Sequence, residues 1–325
     1  MILVTGGAGY IGSHVVLSLR EMGYEVVVLD DLSRGHEDLI FSPNFVECDI
    51  RDREAVDKAF TRFPVEAVLH FAARSLVGES MREPEAYYDV NVNGTLSLLS
   101  AMRDRGVNAL VFSSSAAVYG EPKRTPISEE DELRPTNVYG ETKLFIESML
   151  RRYHEAYGLN SVSLRYFNAA GADPEGRSGE DHDPETHLIP LVLDVALGRR
   201  KEITIFGTDY PTPDGSCIRD YIHVTDLASA HVLALKSLTQ GEARCSAYNL
   251  GNGMGYSVKE VIDVARRVTG KTIPASAGPR RPGDPAVLVA SSDRAQKNLG
   301  WQRAHPGLEE IVATAWEWHR RRFSR

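Results

Sequence analysis

Short runs of β-branched and other apolar residues alternate with amphipathic stretches through the first half of the chain. Residues 2–5, 26–29, 45–48, 67–70 and 110–113 each read as a short buried strand. Between them, residues 13–22 place Val15, Leu19 and Met22 at i, i+4 and i+7. Residues 52–63 repeat the pattern with Ala55, Val56, Ala59, Phe60 and Phe63. A longer helix is predicted from Val138 to Tyr157, stopping at Gly158, ahead of a sixth strand at 161–166. Strands alternating with helices of this length predict βαβ units. The expected fold is α/β, a doubly wound parallel Rossmann sheet with helices on both faces.

After Asp173 the texture changes. Residues 173–184 are rich in Gly, Asp, Glu and Pro and read as a loop. Shorter segments follow: helices at 188–197, 225–238, 258–268 and 308–323, and strands at 203–206 and 247–250. The expected division is a first domain over 1–173 and a smaller α/β domain over 174–325. The stretch at about 219–250 is left free to rejoin the first sheet. There is no internal repeat and no coiled-coil heptad.

Composition narrows the class. With 325 residues, 42% hydrophobic and 25% charged, the chain is an ordinary globular sequence, which excludes disorder and a disulfide scaffold. The net charge of −8 and the absence of a long basic run argue against nucleic acid or an anionic membrane as partner. Arg320, Arg321 and Arg322 read as the solvated face of the last helix. Three scattered cysteines, Cys48, Cys217 and Cys245, fit a reducing compartment. No charged, apolar leader and no apolar run of about 20 residues is present, so a cytoplasmic location is expected.

Three motifs then carry chemistry. Gly6, Gly9 and Gly12 lie between a predicted strand and a predicted helix, where glycine lets the backbone approach a pyrophosphate at the helix N-terminus. Asp30 ends the next strand, where a carboxylate holds a ribose 2′-OH and favours NAD over NADP; Arg34 is read as a loop arginine. A YxxxK pattern occurs twice. Tyr119–Lys123 encloses Gly120 and Pro122 and cannot be one helical turn. Tyr139 and Lys143 open the long helix, so both side chains share a face, and the ammonium is expected to lower the phenol pKa. Ser113, Ser114 and Ser115 end the fifth strand, at the sheet edge where open α/β folds bind ligands. The ten histidines show no metal-ligand spacing, so no metal is expected. The acidic stretch with Glu180, Asp181, Asp183 and Glu185 reads as solvated.

These residues resemble the extended short-chain dehydrogenase/reductases and, within them, the UDP-glucose 4-epimerases. VTGGAGYIGSH, FSSSAAVYG, YGETK, LRYFNAAGA, IFGTDYPTPDG, IRDYIHVTDLA, YNLGNG and RRPGDP carry the likeness nearly end to end. The resemblance implies a retained NAD held by Gly6, Gly9, Tyr10, Ile11, Gly12, Asp30, Asp31, Ser33, Asp49, Ile50, Phe71, Ala72, Ala73, Ser75, Tyr139, Lys143 and Phe167. It implies a catalytic set of Tyr139 as base, Lys143 as its partner and Ser115 at the sugar. Asn168, His187, Leu188, Phe206, Arg219, Arg281, Asp284 and Leu288 would hold the UDP-sugar with Ser115 and Tyr139. The first domain would then bind NAD and the second the UDP-sugar, in a homodimer joined through residues 87–102 and 139–157.

The implied reaction is reversible C4 epimerisation of a UDP-hexose through a 4-keto sugar, with no net redox change. Epimerisation of UDP-N-acetylhexosamines or UDP-pentoses is the alternative. A dehydratase would need an Asp-Glu pair where the chain has Ala116-Ala117, and a non-catalytic NAD-sensing regulator would be free to lose Tyr139 or Lys143. Two departures bear on NAD retention: Ser75 stands where the family often has Lys, and Val90 where many members have Asn.

Overall fold

The computed structural model describes residues 1–281 and 284–324; Pro282 and Gly283, inside the RRPGDP motif, lie outside the described residues, as does Arg325. Thirteen strands are present among those described: β1 (Ile2–Thr5), β2 (Val26–Asp30), β3 (Asn44–Glu47), β4 (Ala67–His70), β5 (Ala109–Ser115), β6 (Asn160–Tyr166), β7 (Asn168–Ala170), β8 (Ile203–Phe206), β9 (Ile218–His223), β10 (Cys245–Leu250), β11 (Gly255–Ser257), β12 (Ala275–Gly278) and β13 (Val287–Leu288). The helices are α1 (Tyr10–Glu21), α2 (Arg53–Arg62), the short α3 (Val77–Ser80) and α4 (Pro84–Tyr87), α5 (Gly94–Asp104), α6 (Val138–Tyr157), α7 (Leu188–Ala196), α8 (Val224–Thr239), α9 (Val258–Thr269), α10 (Asp293–Leu299) and α11 (Leu308–Phe323).

Seven strands form one parallel sheet in the order β10-β6-β5-β4-β1-β2-β3. β1 is flanked by β2 and β4, and Ile2, Leu3, Val4 and Thr5 are all buried. Strands covered on both faces need continuous apolar runs, which is why these segments do not alternate with polar residues. On one face Val15, Val16 and Leu19 of α1 pack with Leu227, Ala228 and Leu235 of α8. The opposite face takes Val56 and Phe60 of α2, Leu98 and Leu99 of α5, and Ile146 and Leu150 of α6. β10 pairs with β6 from Cys245 to Leu250, so the chain returns to the large sheet after leaving it.

Beyond β6 a smaller layer is built around β9, which pairs with β7, β11 and β13, while β8 pairs with β12. Its core is Ile189, Val192 and Leu193 of α7, Val261 and Ile262 of α9, and Ile311 and Val312 of α11. Boundaries moved where the signal was weak. α1 begins at Tyr10 rather than Ser13, and Met22 falls at its C-cap, exposed instead of buried. The strands β7, β9, β11, β12 and β13 lie outside the predicted elements: four of them have at most four residues, too short for a period-2 pattern to register, and β9 carries Arg219-Asp220 inside its run.

Candidate active site

The order of the large sheet reverses between β1 and β4, and the crevice at that point is the natural ligand site of such a sheet. Gly6 follows β1 in a left-handed conformation (φ +70°), and a Cβ there would lie 2.6 Å from the Ala72 amide nitrogen. A Cβ on Gly12 would lie 2.1 Å from the Gly6 carbonyl oxygen. Gly9 differs: its Cβ would meet only the Gly6 oxygen at 3.4 Å, so the space above it is open. No side chain caps α1 at Gly9, which leaves the first-turn N–H groups free for an anion. An open cradle of this chemistry fits the pyrophosphate of NAD.

The expected cofactor residues line this crevice unequally. Asp30 is buried at the end of β2 and accepts from the amides of Ala8 (3.0 Å) and Leu32 (2.9 Å). Burial pushes its carboxyl above the usual range while those amides oppose the shift. Asp31 accepts from the Ser33 amide and hydroxyl in an exposed turn. Phe71, Ala72 and Ala73 follow β4, with the Phe71 amide donating to the Thr5 carbonyl at 2.9 Å; Ser75 is exposed. Two side chains are turned elsewhere. Tyr10 donates its hydroxyl to the Gly171 carbonyl (2.7 Å), so only its backbone faces the glycine loop. The Asp49 carboxylate is held by Arg51, while Ile50 is buried against Gly94.

At the end of β5, Ser115 accepts from the Ala117 amide (3.1 Å) and caps a 3-10 turn over Ala116–Tyr119. Tyr139 and Lys143 lie one turn apart in α6, whose N-cap Asn137 accepts from the Gly140 amide. Lys143 is 2% exposed, donates to the Ser113 carbonyl at 2.7 Å, and holds its Nζ 5.7 Å from the centre of the Tyr139 ring. Burial lowers the Lys143 pKa to about 7, opposed by the nearby Glu147. Burial also raises the Tyr139 pKa, and the opposing influence is the hydrogen bond from Ser115. The expectation that Lys143 lowers the phenol pKa is therefore not met, because desolvation of both groups dominates. The second YxxxK pair does not align: Tyr119 is buried and donates to Asn249 (2.7 Å), whereas Lys123 is exposed and pairs with Glu132.

The expected substrate residues gather mainly around β9. Asn168 donates to the Asp220 carbonyl (2.9 Å), Arg219 pairs with Asp284, and Leu288 stands in register with Arg219. The Arg281 guanidinium lies 4.2 Å over the Phe206 ring. Leu288 and Phe167 pack against a small cluster of Val118, Tyr119 and Ile127. Leu188 opens α7. His187 departs from the group, because its Nδ1 faces Glu180 (2.8 Å) and Glu185 (3.0 Å). The acidic loop is likewise not simply solvated: Glu180 is buried and gathers His182 and His187 about it.

The NAD dependent epimerase/dehydratase family profile matches residues 2–251. The chain belongs to this family. It is 58% identical over 319 residues to a UDP-glucose 4-epimerase of Halalkalibacterium halodurans, covering 98% of this chain and 95% of that protein. A crystal structure of a UDP-glucose 4-epimerase superposes with a TM-score of 0.96 at 54% identity, covering 98% of this chain and 97% of the other. The UDP-glucose 4-epimerase of Brucella ovis, solved in complex with NAD, gives a TM-score of 0.95 at 47% identity, with 98% of each chain covered.

The sequence motifs single out residues at the strand ends and helix starts and pass over those packed behind them. Glu147 of α6 and Arg165 of β6 form a buried pair. His70 lies 2.7 Å from Thr5 Oγ1 and 2.9 Å from Thr95 Oγ1, and burial lowers its pKa to about 3, so it is neutral. One signal was available for Glu147: it stands at i+4 from Lys143, on the same helix face.

Proposed function

We infer that the protein catalyses reversible C4 epimerisation of a UDP-hexose, interconverting UDP-galactose and UDP-glucose. The observation that carries this reading is the convergence of Ser115, Tyr139 and Lys143 at the edge of a glycine-lined crevice that fits NAD. The 58% identity to a UDP-glucose 4-epimerase over nearly the whole chain supports the choice of sugar nucleotide. Bound NAD supplies a hydride acceptor that later returns the hydride to the opposite face of the sugar.

Tyr139 takes the proton of the sugar 4-OH at its phenol oxygen, with Ser115 sharing that proton. Lys143 and Tyr139 act as one titrating pair. Once the pair has lost its first proton near the Lys143 pKa of about 7, the remaining proton can sit on either group. The arrangement with an ammonium and a phenolate is the active one. Arg219 and Arg281 offer fixed, always-ionised forks to the diphosphate. The half-buried Asn168, Phe206 and Leu288, with Leu188 at the start of α7, shape the rest of the pocket.

The large sheet is read as the NAD layer and the elements around β9 as the UDP-sugar layer. A second copy is placed on the face of α5 and α6, where Leu96, Phe145 and Tyr157 are 43%, 55% and 56% exposed. Such side chains, left bare, support an interface. Unpaired cysteines and the absence of any described helix long and apolar enough to cross a membrane support a cytoplasmic site of action. The test is incubation of purified protein with UDP-galactose and no added NAD. Appearance of UDP-glucose is expected; its absence, with and without NAD, overturns the reading.

A further inference from the structure

Four potential donor atoms converge where residues 173–187 cross between α1 and α11. Glu180 Oε1 lies 3.1 Å from His182 Nδ1 and 2.8 Å from His187 Nδ1. Glu185 reaches His182 Nδ1 with Oε2 at 3.7 Å and His187 Nδ1 with Oε1 at 3.0 Å. All four ligand atoms fall within 4.8 Å of one another. In a tetrahedral site with bonds of about 2.0–2.1 Å, neighbouring ligand atoms stand about 3.3 Å apart. The nitrogen–oxygen separations of 2.8, 3.0, 3.1 and 3.7 Å bracket that value, and both rings turn Nδ1 toward Glu180 Oε1.

The loop that carries these donors is held from several sides. Trp318 Nε1 donates to the Glu180 carbonyl (3.0 Å), and its ring lies so close over Gly179 that a Cβ there would fall 2.3 Å from it. Arg322 pairs with Asp181 (2.7 Å), His36 Nε2 lies 2.8 Å from the Asp181 carbonyl oxygen, and the Ser13 and Ser178 hydroxyls meet at 2.7 Å. A ligand set fixed by its surroundings binds a metal without first ordering the loop.

We propose that Glu180, His182, Glu185 and His187 form a structural site for one zinc ion. Two imidazoles favour zinc over magnesium or calcium, which take oxygen-only shells of six or more ligands. Four protein ligands leave no open position, which marks the site as structural. The two carboxylates match the charge of the ion, and the metal would take the place of a proton at each Nδ1. Zinc there would bolt the loop to the first residues of α7, and it assigns the His187 Nδ1 to the metal instead of the nucleotide.

The test reads metal directly and does not depend on turnover. Protein freed of any purification tag is stripped with a chelator, dialysed, and titrated with zinc against a chromophoric competitor. Binding of one zinc per chain at submicromolar Kd is expected, and cobalt(II) is expected to give the intense visible bands of a tetrahedral ion. His182→Gln and Glu185→Gln are each expected to weaken zinc binding about 100-fold, with far-UV circular dichroism unchanged. A wild-type Kd weaker than about 100 μM, or variants that bind as tightly as wild type, overturns the proposal. Should both variants fail to fold, cobalt spectra of the wild type decide, and six-coordinate bands or none overturn it.

Discussion

Glu147 and Arg165 meet in the interior at two points, Nη2 to Oε2 at 2.5 Å and Nε to Oε1 at 2.9 Å, with side chains 8% and 6% exposed. The pair joins α6 to β6. Ser114 on β5 donates to the same carboxylate, and Arg165 reaches the Tyr119 hydroxyl at 2.9 Å. Glu147 is also the one carboxylate that holds the Lys143 pKa up against burial. One side chain therefore joins α6 to the sheet and opposes the loss of charge at Lys143.

Glu147→Gln breaks both roles. Removing one partner of a buried pair leaves Arg165 uncompensated, at a cost of about 3–5 kcal/mol. Lys143 then loses its proton at still lower pH, so the acid limb of the kcat/KM profile moves below about 7 and the plateau falls. Denaturant melts and a pH–rate profile check the two effects separately. An acid limb that stays in place would remove Glu147 from any electrostatic role.

Lys143→Met is expected to move the acid limb the other way. Without the lysine, the phenolate forms only above the pKa of Tyr139 alone, which burial raises. Activity at pH 7 then drops by orders of magnitude and recovers with increasing alkalinity. Tyr139→Phe removes the base but little contact area, so turnover is lost while calorimetric UDP-sugar binding stays near wild type. A loss of only a few-fold in kcat would mean that another group is the base.

Asp220 offers a pH-linked test of the sugar-binding layer. Its carboxylate accepts from the amides of Asn252, Gly253 and Ala290, tying β9 to the turn after β10 and to the segment after β13. Burial raises its pKa to about 6, against those three amides. A folded pKa above the unfolded value means that the contribution is full below the unfolded pKa and is lost as pH rises through about 6. The stability difference between wild type and Asp220→Asn is expected to grow in favour of wild type by on the order of 1 kcal/mol between pH 7 and pH 5. Paired urea melts at the two pH values measure it, and a pH-independent difference would contradict the burial argument.

The large sheet was legible because its strands are buried on both faces and its helices have a regular apolar stripe. β1 and β4 needed no tertiary information, since Ile2–Val4 and Ala67–Leu69 are continuous apolar runs, each closed by one polar residue, Thr5 or His70. The small layer was not, because β13 has two residues and β11 three, and each gains its place only by pairing with β9. Motif residues that face a ligand carry a spacing that sequence can show. The groups behind them, such as Arg165 under α6 or Trp318 over Gly179, are fixed by contacts across long separations and leave no local pattern. The cluster at Glu180, His182, Glu185 and His187 escaped for a similar reason. Its donors belong to a loop and not to a helix face, so no i, i+4 pair announces them.

Leu288 sets the last expectation, the width of the sugar pocket. It stands in register with Arg219, is half-buried, and packs, like Phe167, against the cluster of Val118, Tyr119 and Ile127. In the proposed site, a tyrosine at this place would extend a ring and a hydroxyl toward the sugar, whereas leucine ends sooner and would leave room beside it. A group excluded mainly by volume then enters, so the wild type is expected to interconvert UDP-N-acetylglucosamine and UDP-N-acetylgalactosamine as well as the unsubstituted pair. Leu288→Tyr is expected to reduce kcat/KM for the N-acetyl sugars by about 10–200-fold, the range for a steric change of this size in an apolar pocket, and to alter UDP-galactose turnover by only a few-fold. Steady-state rates on all four UDP-sugars for both proteins provide the comparison. If neither N-acetyl sugar turns over in wild type, the pocket is narrow and some residue other than Leu288 closes it.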